Sequence, residues 1–173
     1  MTTRTQRLLT LSAVLGLAYW FFGNLYETVV ISPNWIEDSP AQLTRLNQFF
    51  TNTSPTLYFV PLTPLAVALV WLLWWRNRDD TLRADYRRAG VASLLLTALN
   101  AAIVGLIIPR LFGPEALAHP EHLLPAAWSW NGLNLVRMAL TATTAWFLFQ
   151  AFRKLDRRHL SDHSDDLRLA RRR

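Results

Sequence analysis

Two short polar strips interrupt an otherwise apolar chain, and they hold the residue types that acid–base chemistry needs. The first, Gly23-Asn24-Leu25-Tyr26-Glu27-Thr28-Val29-Val30-Ile31-Ser32-Pro33-Asn34-Trp35, closes a long apolar run that begins at Leu8; the second is Asn131-Gly132-Leu133-Asn134-Leu135-Val136-Arg137. Asn24 and Glu27 are three residues apart, as are Asn131 and Asn134, and Asn134 and Arg137, so each strip offers one helical face. A charged side chain within a membrane span is costly in lipid and belongs in a bundle interior or a watery cavity. The two strips are therefore expected to meet. There Glu27 would serve as base or hydrogen-bond acceptor, and Arg137 would stabilise negative charge developing on a substrate oxygen. Asn24, Tyr26, Asn100, Asn131, Asn134 and Trp130 are the candidate substrate-binding residues, with Tyr58 a further hydroxyl at the same end.

A structural role competes with this reading. Asparagine, serine and threonine commonly hydrogen-bond between membrane helices, at about 0.6–2 kcal/mol each. For Asn100 alone that reading is preferred. For Glu27 with Arg137 the preference reverses, because burying an ion pair is a poor route to stability.

The elements that must position these residues follow from the distribution of apolar side chains. The chain has 173 residues, 51% of them hydrophobic, with 8 Trp and no Cys. The missing Cys excludes disulfide scaffolds, thiolate metal sites and cysteine nucleophiles. The apolar residues gather into four blocks at about 8–31, 57–75, 91–108 and 133–152, each near the ~20 residues that cross a bilayer core. Spans of this length must be helical, because lipid offers the backbone no partner. The expected fold is all-α: an integral membrane four-helix bundle over 1–155, followed by a charged tail over 156–173 that is a frayed helical extension or disordered. No internal repeat is visible.

The net charge of +6 sits in short loops and tails. Arg4 and Arg7 precede the first block, Arg76, Arg78, Arg83, Arg87 and Arg88 crowd the second connection, and eight basic residues from Arg153 to Arg173 follow the fourth. The other two connections carry only Arg45 and Arg110. This asymmetry places both termini and the second connection in the cytoplasm of a multi-pass protein of the cell membrane. Nucleic acid is not an expected partner, since the basic loops carry no reading motif.

Finer features follow. Ser39-Pro40 reads as an N-cap followed by a first-turn proline, and Leu43, Leu46, Phe49 and Phe50 recur at helical spacing, so a short interfacial helix is expected in the first outer loop as a lid over the bundle. Trp35, Trp128 and Trp130 are placed in an outer aromatic belt, and Trp74 and Trp75 in an inner one. Pro61 and Pro64 are expected to loosen or kink the second helix near its outer end. His119-Pro120-Glu121-His122 holds nitrogen and oxygen ligands, but Pro120 disrupts regular geometry and no fourth ligand suggests itself, so a solvated loop is preferred to a metal site. His159 and His163, one helical turn apart, read as a solvated face.

The four-helix layout, with Gly23-Asn24-Leu25-Tyr26-Glu27 ending the first helix and Trp130-Asn131-Gly132-Leu133-Asn134-Leu135-Val136-Arg137 opening the fourth, resembles the small membrane proteins grouped with anthrone oxygenases (the DUF1772 type). The resemblance implies a pocket lined by Asn24, Glu27, Asn134 and Arg137. It implies tailoring of a polyketide-like aromatic molecule, with dioxygen as co-substrate and no metal or flavin cofactor. The same parts would serve a cyclase or isomerase. Beyond enzymes, a small-molecule transporter, which four helices would support only as a homo-oligomer, and a non-catalytic membrane subunit remain open. The partners expected are a lipophilic small molecule and the bilayer.

Overall fold

The computed structural model describes residues 1–53, 55–113 and 116–170, without the side chains of residue 56 and residues 162–170. It is all-helical among these residues, and four of its helices are long and apolar enough to cross a membrane: Thr3–Ile36, Leu57–Arg76, Asp80–Phe112 and Pro120–Ser161.

The first span comprises α1 (Thr3–Tyr26), a wide π-helical turn (Glu27–Ile31) and α2 (Ser32–Ile36). It starts five residues before the apolar run because the Thr2 hydroxyl accepts from the Thr5 N–H and satisfies an otherwise unpaired donor. After α2 comes α3 (Ser39–Phe49), in the expected place. Its cap position is Asp38, in the left-handed conformation (φ 52°), while Ser39 is already helical and donates to the Ile36 carbonyl at 3.2 Å. The second span is α4 (Pro55–Phe59) and α5 (Leu62–Arg76). Its break at Val60-Pro61 matches what a proline does to a helix.

The third span, α6 (Asp80–Ala102), passes through a second wide turn (Ile103–Ile107) into α7 (Ile108–Phe112). In both wide turns an amide donates five residues back, Ser32 to the Glu27 carbonyl and Ile108 to that of Ile103. Each turn begins six residues before a proline, Pro33 or Pro109. A proline donates no hydrogen bond and its ring crowds the carbonyl four residues back, and a locally widened helix accommodates both defects. The last span is α8 (Leu123–Ala170), which begins ten residues before the apolar block and runs past it without a break. Past residue 155 the expected tail continues α8 as a helical extension: Leu155 is in the core, and Asp156 and Arg158 make ion pairs with the bundle. The tail residues Arg171, Arg172 and Arg173 lie outside the described residues.

The bundle is a ring in which α1 packs on α5 and α8, and α6 packs on α5 and α8. Small residues set the closest approaches. A Cβ at Gly16 would stand 2.8 Å from the Ala66 Cβ, and one at Gly90 would enter the Trp74 ring. Two apolar cores result. One, around Leu17, Trp20, Val70, Leu73, Tyr86, Leu96 and Leu148, fills the half of the bundle near the chain's N-terminus. The other, around Trp35, Leu43, Ile107, Leu111, Leu123 and Trp130, joins α2, α3, α7 and the start of α8. Outward positions are also apolar, among them Leu15, Phe22, Leu65, Leu95, Leu106, Leu135, Val136 and Trp146. Such a surface suits lipid rather than water.

The tryptophans correct one expectation. Trp35 and Trp130 are buried, edge to face at 5.1 Å, and Trp128 alone of the three is exposed. The Trp35 N–H finds Ser32 at 2.7 Å, so the indole lies buried in the core instead of in a belt.

Candidate functional site

The two polar strips meet between α1 and α8, but through asparagines. Arg137, 7% exposed, donates from Nε to Asn134 Oδ1 at 2.9 Å, from Nη1 to Asn100 Oδ1 at 3.1 Å, and from Nη2 to both Asn24 Oδ1 and Asn134 Oδ1. A guanidinium has five N–H donors. These four bonds leave one hydrogen on Nη1. The Trp130 ring lies against the same guanidinium, with its centroid 5.9 Å from Cζ.

Each asparagine is itself oriented by the backbone or by a neighbour. Asn24 Nδ2 donates to the Trp20 carbonyl at 2.7 Å, which turns Oδ1 toward Arg137. Asn134, fully buried, donates from Nδ2 to Thr28 Oγ1 at 2.6 Å and to the Asn24 carbonyl at 3.3 Å. Thr28 donates in turn to the Asn24 carbonyl at 2.8 Å. Asn131 stands one turn away in a separate network: it accepts from Ser32 Oγ at 2.6 Å and donates to the Ala127 carbonyl at 2.9 Å.

Glu27 opens the wide turn of the first span and is half-buried. It interacts electrostatically with Arg137, yet the two form no ion pair within 4.0 Å, and Glu27 has no hydrogen bond among the described residues. Every buried side-chain nitrogen and oxygen there has a partner. The unbonded Glu27 oxygens must therefore reach accessible space. The result is an uncommitted carboxylate beside a cation held in place by neutral amides.

Of the residues singled out from the sequence, Asn24, Asn100, Asn134, Arg137 and Trp130 come together, with Glu27 beside them and Asn131 one layer away. Tyr26 does not join them; it is 58% exposed, because the residue before Glu27 points about 100° away around the helix. Tyr58 stacks on Tyr19 at 4.4 Å on another face of α1, its carbonyl accepting from the Tyr19 hydroxyl. Thr28, Ser32 and Trp35, farther along the first strip, join these networks with no site role expected for them. The signal was present: Asn24, Thr28 and Ser32 recur every four residues and mark one polar stripe. Beyond the wide turn, a cleft of about 250 Å³ opens between α2 and α3, lined by Ile31, Asn34, Trp35, Gln42, Arg45, Leu46 and Phe49.

Compared with protein-family models, with curated proteins and with solved structures, the chain finds no match.

Proposed function

We propose that the protein is a multi-pass enzyme of the cell membrane that tailors a lipophilic, aromatic small molecule by acid–base chemistry, with Glu27 as base and Arg137 as anion stabiliser. The observation that carries this reading is the unbonded, half-buried Glu27 next to a guanidinium that keeps one free donor. A purely structural pair would bring the two charges into contact. Here asparagines fix the cation without neutralising it, so its charge remains available to a bound oxyanion.

The basic residues of the second connection and of both ends support an orientation with the termini inside, Glu27 in the outer half of the bundle, and α3 in the outer interface as a lid. Entry from the lipid phase suits a substrate with fused rings and one oxygenated edge. The likeness of the two strips to anthrone oxygenases supports dioxygen as co-substrate and no organic cofactor or metal. In such a reaction Glu27 takes a proton from an acidic ring CH2, the resulting anion is held at its oxygen by Arg137, and dioxygen adds to the ring carbon. Loss of water then leaves a ketone, so that CH2 and O2 give C=O and H2O.

Cells carrying wild type, Glu27→Gln or no protein, grown under labelled dioxygen, test this reading. A product that takes up label only with wild type is expected, with its unlabelled precursor accumulating in the other two strains. A mass-neutral conversion would redirect the assignment to a cyclase or isomerase, and an unaltered compound that merely changes compartment would overturn catalysis in favour of transport.

A further inference from the structure

We propose that His119, Glu121 and His122, in the connection leading into α8, form a binding site for a divalent transition-metal ion of the zinc class. The proline that would break a longer helix has the opposite effect here. Pro120 occupies the first position of a short 3-10 turn, Pro120–His122, where its fixed φ costs nothing. The turn is closed by the His122 N–H donating to the His119 carbonyl at 3.0 Å, and at three residues per turn His119 and His122 fall on one side. One ligand atom from each residue lies within 4.8 Å of the other two.

The spacing is that of a coordination shell. Ligands held about 2.0–2.1 Å from a tetrahedral ion are about 3.4 Å from one another. His119 Nδ1 and His122 Nε2 lie 3.3 and 3.6 Å from the same oxygen, Glu121 Oε1. The longer contact exceeds a hydrogen bond. Two imidazole nitrogens therefore converge on one carboxylate oxygen with only His119 within hydrogen-bond distance, whereas an ion between them would satisfy all three. Two imidazoles and a carboxylate suit zinc, and the open side, where each side chain is 60–68% exposed, admits water as the remaining ligand.

The flanking backbone is fixed before any ion arrives. Ala116 and Leu123 are buried in the apolar cluster that holds Trp35 and Trp130. A bound ion would thus fasten this connection over the end of the bundle that carries the candidate site.

Full-length protein without an affinity tag, in detergent, is titrated with cobalt(II) and followed by its visible absorption, then challenged with zinc. One cobalt per chain, displaced by zinc, is expected, together with a zinc-dependent rise in melting temperature. The double variant His119→Ala, His122→Ala should lose saturable binding, and Glu121→Gln should weaken it. The variant His159→Ala, His163→Ala should bind as wild type does. The side chains of His119, Glu121 and His122 are exposed, and circular dichroism of each variant reports whether the helices persist. No saturable cobalt spectrum in wild type, or one retained in the double variant, overturns the proposal.

Discussion

The two ends of the bundle handle charge in opposite ways. At the end where the chain begins, cations and carboxylates touch: Arg7 meets Asp156 at 2.9 Å, Lys154 meets Asp85 at 2.7 Å, and Arg158 bonds Asp79. Beneath them Thr10 and the Tyr86 hydroxyl, 2.7 Å apart, close a gap across the ring between α1 and α6. At the other end Arg137 has three asparagines around it and the nearby Glu27 stays unbonded. Paired charges cancel each other's fields and tie helices together. A cation enclosed by amides is equally well fixed but keeps its field, which is what a reacting oxyanion needs.

The same exchange at the two ends should give the sharpest contrast. Arg137→Lys keeps the charge, but a single ammonium cannot reach three amide oxygens in the guanidinium's planar array. Turnover of the labelled product is expected to fall by about 100-fold or more, with a lower melting temperature. Lys154→Arg, which keeps a half-exposed cation against the buried Asp85, should change stability by no more than about 1 kcal/mol. Equal losses in both would erase the distinction between the ends.

Next in size is Asn134→Leu. It removes an acceptor of a buried charge and a donor to Thr28, for a destabilisation of about 3 kcal/mol in chemical unfolding. Smaller still is the link between Thr10 and Tyr86. Thr10→Val and Tyr86→Phe should each cost about 1 kcal/mol, and a double-mutant cycle should show that most of it is shared.

A comparably small effect belongs to the partly exposed rim of the charged end. The hydrogen bond from Arg158, with help from Thr81, outweighs burial and lowers the Asp79 carboxyl from its usual value of 3.8 to about 2. A carboxyl lowered on folding stabilises the native state above its unfolded value, and that contribution is lost as pH falls from about 4 towards about 2. For a partly exposed pair it amounts to no more than about 1 kcal/mol and weakens with salt. Melting curves across this range should converge for wild type and Arg158→Ala at the acid end and separate at neutral pH.

The spans were legible in the sequence because each needs an unbroken apolar stretch, and no aqueous element of that length imitates one. Their ends were less so. A helix continues wherever its last donors and acceptors find partners, as Thr2 provides for α1 and the ion pairs of Asp156 and Arg158 provide along α8. The meeting of the two strips could be read from depth and polarity. That Arg137 would bond amides and not Glu27 could not, since asparagine and glutamate oxygens are alternative acceptors and geometry chooses between them. Trp35 and Trp130 were misplaced for a related reason: an indole near a span end suits either an interface or a core, and Ser32 supplies the buried partner that decides for Trp35. The ligand convergence at His119 and His122 was hidden by Pro120, whose effect depends on whether it interrupts a helix or starts a turn.

The wide turns at Glu27–Ile31 and Ile103–Ile107 also bear on how the chain tolerates changes in length. Losing one residue from a regular helix turns everything beyond it by about 100°, which would swing Trp35 or Leu111 out of the core. A widened turn already holds surplus backbone, so a deletion there can be absorbed by tightening to the ordinary pitch while the far segment keeps its facing. These two places are where the lineage of this protein could gain or lose a residue inside a span and still present the same faces to the site and to the core.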